Sequence, residues 1–190
     1  EYLTEFTRRH PEVFRDFRAR AMPVRSVPDS ELTVDRVEQV IDHMVAALRH
    51  LASGPENATA YHRLATGILE LLFYPNLTGP AVEVEIHEGR KRVDLTFDNA
   101  ATAGFFFRLH TTLGTPAQFA IIECKNYSRD IANPELDQLS GRFSLHRGRF
   151  GLAVCRTIDD MPTFLSRCAD TYRDGRGVII PLVDADLISL

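Results

Sequence analysis

Three short apolar runs, Phe119–Cys124, Gly151–Cys155 and Gly177–Val183, constrain the fold of this chain more than any other feature. Runs of this length with little polar alternation suit strands covered on both faces, as in the interior of a sheet. Segments of helical character separate them, from about Pro134 to Leu145 and from Pro162 to Tyr172. Strand and helix in alternation predict an α/β domain with a mixed central sheet flanked by helices on both faces. Ahead of the first run, Val82, Val84 and Ile86 alternate with Glu83, Glu85 and His87, the period of a half-buried strand. A turn at Gly89 and a second strand from Lys91 to Phe97 make residues 82–97 a hairpin. Gly104 to Leu109 reads as a further strand between loops.

The first part of the chain is helical in pattern. From Thr33, placed as an N-cap, apolar residues fall at Val34, Val37, Val40, Ile41, Met44, Val45, Leu48 and Leu51, until Gly54-Pro55 stops the helix. A second helix runs from about Thr59 to Tyr74 and ends at Pro75. Residues 1–28 are Arg-rich and punctuated by prolines, with room for one short helix between Tyr2 and Arg20, and 21–30 reads as a linker. The expected organisation is a helical N-terminal extension over 1–58 and an α/β domain over 59–190. The chain opens on Glu1 rather than Met and closes on an apolar run at Leu190, as expected of a piece of a longer protein.

Composition excludes several classes. Hydrophobic residues at 44% and charged residues at 25% are ordinary for a globular domain. No apolar run approaches the length of a membrane span, and no secretory signal opens the chain, so the expectation is a cytoplasmic protein without a membrane partner. The three cysteines, Cys124, Cys155 and Cys168, lack metal-ligand spacing and read as buried thiols. A net charge of −4 argues against a protein that coats nucleic acid, though a local basic groove remains compatible with it. The basic residues are 20 Arg and only 2 Lys, Lys91 and Lys125, so a lysine in this background invites a reason of its own.

Lys125 has one. In Ile121-Ile122-Glu123-Cys124-Lys125, strand alternation puts Glu123 and Lys125 on one face, about 6.6 Å apart by rise, where a buried strand leaves the sheet. The pair alone could be an ion pair. Asp94, in Arg92-Val93-Asp94-Leu95-Thr96-Phe97, is a second acid inside an apolar strand, where a carboxylate needs a cation, either an arginine or a metal. If the hairpin lies beside the 119–125 strand, Asp94 and Glu123 can serve one ion. Magnesium favours carboxylates, waters and phosphate oxygens. Such an ion orients a phosphodiester and activates water, while a neighbouring lysine positions or deprotonates that water. The Cys124 carbonyl could add an oxygen ligand.

Asp94, a gap, then Glu123-Cys124-Lys125 followed by Asn126-Tyr127 resembles the PD-(D/E)xK nuclease superfamily, and especially its branch of Mrr-like restriction enzymes. The resemblance covers residues 59–183 and implies a restriction endonuclease-like fold. It implies that Asp94 and Glu123 bind Mg²⁺ or Mn²⁺ and that Lys125 serves catalysis. Glu70 matches a metal-site glutamate on the preceding helix, though it could equally face solvent. Gln138 matches a glutamine found in some branches on the helix after the lysine strand, or is a surface residue. Val93 stands where the family motif has proline, and the 29 residues from Asp94 to Glu123 imply an insertion at 98–118. Arg90, Lys91, Arg92, Arg142, Arg147 and Arg149 could contact phosphates, or form solvated surface. Glu83, Glu85 and Glu88 could widen the metal site, or belong to an exposed hairpin edge. The expected activity is a metal-dependent endonuclease acting on DNA, with RNA left open, in restriction or antiphage defence. The alternative is a catalytically silent module binding nucleic acid or protein. The apolar stripe of the 33–52 helix must be covered, either by the chain's own core or by a second chain in a homodimer or larger assembly.

Overall fold

Strand and helix alternate along most of the computed structural model, which describes residues 34–86, 91–127 and 133–190. The short helix expected within 1–30, the Thr33 cap, the Gly89 turn, Glu88 and Arg90 lie outside these residues, as do the side chains of Glu85, Lys91 and Arg92. Helix α1 spans Val34–His50, and a 3₁₀ turn at Pro55–Asn57 leads into α2, Ala58–Phe73. Strands β1, Leu77–Ile86, and β2, Lys91–Asn99, form the hairpin. Helix α3, Gly104–Thr111, precedes β3, Phe119–Lys125. Then come α4, Asn133–Ser140; β4, Phe150–Cys155; α5, Met161–Arg173; β5, Val178–Val183; and α6, Asp184–Ser189.

The strands lie in sequence order, β1-β2-β3-β4-β5. The first three run antiparallel, and β3, β4 and β5 run parallel to one another. This is the expected mixed sheet flanked by helices. Alternation along the central strands divides the core in two. Ile122, Cys124, Leu152 and Val154 face one side, with Tyr61, Ala65, Ile68 and Leu69 of α2, Leu48 at the end of α1, Leu109 of α3 and Leu187 of α6. Ile121, Ala153 and Cys155 face the other, with Leu136 and Leu139 of α4 and Phe164 and Cys168 of α5. Strands buried on both faces explain why β3 and β4 read as continuous apolar runs.

The chain divides into two compact units, Glu1–Asp42 and His43–Leu190. Several elements differ from the sequence reading, and β1 begins at Leu77 rather than at Val82. Residues 104–111 form a helix, not a strand. Phe106 and Leu109, three apart, share its inner face, and Phe106 stacks edge-on against Phe73 and Phe150 at ring separations of 5.3 and 5.8 Å. Helix α4 ends at Ser140, short of the expected 145. Turns follow, closed by the amides of Arg142 and Phe143 bonding back to Leu139 and Ser140 at 3.0 and 3.1 Å. Helix α6 was not anticipated. No helix among the described residues is long and apolar enough to cross a membrane.

Candidate active site

Strands β2 and β3 pair from Asp98↔Phe119 to Leu95↔Ile122. One further step in this register sets Asp94 opposite Glu123. There the Asp94 side chain takes over, its Oδ2 accepting a hydrogen bond from the Cys124 amide at 3.2 Å. The expected juxtaposition of Asp94 with the Glu123-Cys124-Lys125 segment is therefore present, brought about by the hairpin lying beside β3.

Glu123 is 2% exposed and holds two cations. Lys125 Nζ lies 2.6 Å from Oε1, on the same face of β3 as alternation requires. The guanidinium of Arg142 engages Oε2. Lys125 also lies 5.8 Å from the centroid of the Tyr127 ring. Burial lowers the pKa of Arg142, and the Asp94 carboxylate offsets part of that shift.

The Cys124 peptide is gripped from both sides. Its amide bonds Asp94, and its carbonyl lies 3.0 Å from His62 Nε2 on α2. A carbonyl only accepts, so Nε2 carries the proton and donates it. The same nitrogen is 3.8 Å from Asp94 Oδ2. The carbonyl named above as an oxygen ligand thus already has one partner, with its second lone pair free in principle for another. Burial first, and then the Asp94 charge, holds the Cys124 thiol far above its ordinary pKa, so this sulfur stays protonated and inert. A cleft of about 450 Å³ opens beside His62, lined also by Thr59, Arg63, Thr66, Val82 and Glu83.

The other sequence candidates are placed differently. Glu70 is exposed on α2. At 100° per residue it lies nearly opposite the stripe formed by Tyr61, Ala65, Ile68 and Leu69, whereas His62 lies on that stripe's border. No group of three or more His, Cys, Asp or Glu side chains that could hold a metal occurs among the described residues. Gln138 is exposed on α4. Arg142, grouped by sequence with surface phosphate contacts, is instead 7% exposed and turned into the cluster. Arg147 donates to the carbonyl of Arg142 at 3.0 Å, and Arg149 to that of Gly175 at 3.2 Å. Arg149 directly precedes β4, whose first residue Phe150 pairs with Ala120, whereas Lys125 pairs with Cys155. Arg149 is therefore at the far end of the parallel strands from Lys125, roughly 17–20 Å away by rise. Glu83 has a φ of 54°, a strained value for a residue with a side chain, and lines the cleft beside His62.

Sequence reasoning missed His62 and Arg142 as members of the cluster. A helical wheel of α2 carried a signal for His62. Nothing local marked Arg142. Comparison with family models, with curated proteins and with solved structures gives no match, so the chemistry has to be read from the residues of the site itself.

Proposed function

We propose that this chain is a metal-dependent endonuclease of restriction endonuclease-like fold that hydrolyses phosphodiester bonds of DNA, a cytoplasmic protein of restriction or antiphage defence. The single observation that carries this reading is the meeting of Asp94, Glu123 and Lys125 at adjoining strands, around the Cys124 peptide. Two carboxylates and a main-chain carbonyl form an all-oxygen donor set, which suits a hard divalent ion such as Mg²⁺ or Mn²⁺. Asp94, Glu123 and the Cys124 carbonyl would hold that ion, which when bound polarises the phosphate and lowers the pKa of a water. Lys125 would orient that water or hold the phosphate. His62 fixes the Cys124 peptide, and with it the separation of the ligands on either side.

The purified protein is expected to nick or cut plasmid DNA with Mg²⁺ or Mn²⁺ and to stop when EDTA is added. Lys125→Ala should abolish cutting, a loss of at least about a hundredfold as for removal of a general acid–base group, with an unchanged circular dichroism spectrum. Full cutting by that variant would remove the assignment.

A second reading, a catalytically silent module that binds nucleic acid or protein, is favoured by one observation. Glu123 is almost wholly buried and neutralised by two side chains, as in a structural ion-pair network. Calorimetry with Mn²⁺ in the presence of duplex DNA separates the two readings, because a silent site takes up no metal.

A further inference from the structure

Both oxygens of Glu123 are occupied by cations of the chain itself, Lys125 on Oε1 and Arg142 on Oε2. With Asp94, whose charge also reaches Arg142, two carboxylates face two cations. Such a set is already balanced. Adding a divalent ion places two positive charges beside two others in a poorly solvated space, where like charges repel strongly. A nucleic-acid phosphate changes that balance, because it brings negative charge and is a bidentate partner for a guanidinium.

The two cations come from different parts of the fold. Lys125 belongs to β3 and is held in register with Cys155 of β4. Arg142 comes from the turn after α4, outside any helix or strand, on a long unbranched stem. Resting on the nuclease reading above, we propose that Arg142 is a latch on Glu123 that an incoming nucleic-acid phosphate releases. Arg142 passes from Glu123 to the phosphate, and Glu123 becomes free for the metal. Metal and nucleic acid then bind cooperatively, and metal alone binds weakly. Arg142 is thus a positioning residue acting through Glu123, and the site is guarded against metal uptake without substrate.

The test is calorimetric titration with Mn²⁺ of the wild-type chain and of Arg142→Gln, each with and without a short phosphorothioate duplex that resists cleavage. For the wild type, the duplex should tighten Mn²⁺ binding at least about tenfold, and Mn²⁺ should tighten duplex binding by the same factor. Arg142→Gln should bind Mn²⁺ without duplex about tenfold more tightly than the wild type, and the duplex should add little. A purely structural arginine predicts the reverse, unchanged or weaker Mn²⁺ binding in the variant, and that result overturns the proposal. If thermal melting shows that Arg142→Gln does not fold, the wild-type titrations decide alone, and equal Mn²⁺ affinity with and without duplex overturns it. A wild-type chain that cuts plasmid but shows no coupling removes this inference and leaves the proposed function standing. One that neither cuts nor binds Mn²⁺ in either condition removes both.

Discussion

Glu123 is the residue whose environment most separates a site from a surface pair. An exposed Lys–Glu contact contributes little, but here the carboxylate is shut off from water and the side chains of its two partners are only 15% and 8% exposed. Removing one member of a buried pair leaves an uncompensated charge. Glu123→Gln strands both Lys125 and Arg142, and its expected cost is about 3–5 kcal/mol in urea denaturation. Lys125→Ala should cost clearly less, because Arg142 still engages Glu123. Equal losses in the two variants would contradict this account of the pair. Glu123, Lys125 and Asp94 were legible in the sequence because each interrupts an apolar strand, and a buried strand tolerates such an interruption only for a reason. His62 and Arg142 interrupt nothing. They reach the cluster from α2 and from the turn after α4, and only the packing of those elements brings them there.

At the scale of the element, β4 depends on a glycine. A Cβ on Gly151 would stand 2.7 Å from the Ile121 carbonyl oxygen and 3.0 Å from Leu139 Cδ1, so neither β3 nor α4 leaves room for one. Gly151→Ala is expected to destabilise the domain by about 1–3 kcal/mol through overpacking, read as a lower denaturation midpoint. An unchanged midpoint would mean that the β3–β4–α4 contact yields more easily than its backbone neighbours suggest. The strands and long helices of this region were legible from their periods. Helix α3 was not, because three consecutive phenylalanines satisfy both periods. The choice fell to Phe73 and Phe150, which receive Phe106 only from a helical face. The end of α4 was equally hidden, since Phe143 continues the helical spacing of Leu136 and Leu139 while the backbone has already turned.

At the scale of the molecule, one half-buried acid joins segments distant in sequence. Asp184, at the start of α6, accepts from the Tyr61 hydroxyl at 3.0 Å and pairs with Arg156 Nε at 3.1 Å. Arg156 in turn donates to the carbonyl of Leu51, just past the end of α1, at 2.6 Å. Asn126, next to Lys125, clasps the same region by donating to the carbonyls of Ala52 and Gly54 at 3.2 and 2.9 Å. Burial raises the pKa of Asp184, and Arg156 and the Tyr61 hydrogen bond restore only part of the shift. The folded chain therefore holds this proton more tightly than the unfolded one. Its contribution to stability is fully present below the ordinary aspartate value of about 3.9 and is lost as pH rises through the higher folded value. Asp184→Asn should remove that slope, so the stability difference between wild type and variant should shift against the wild type as pH rises from about 4 toward neutrality. Urea midpoints measured across that range would check it, and a difference that does not vary with pH would contradict it.

The sequence by itself determined the local periods, the double-sided burial of the parallel strands, and the identities of Asp94, Glu123 and Lys125. These follow from alternation and from the cost of burying charge, which act over a few neighbouring residues. The tertiary structure alone decided that His62, not Glu70, is the α2 side chain at the cluster, and that Arg142 turns inward while Arg149 lies at the other end of the strands. The direction in which a side chain reaches is set by how whole elements pack. For Asp94 the two levels meet: its burial was written in β2, but its partner, the amide of Cys124, exists only because the hairpin lies against β3.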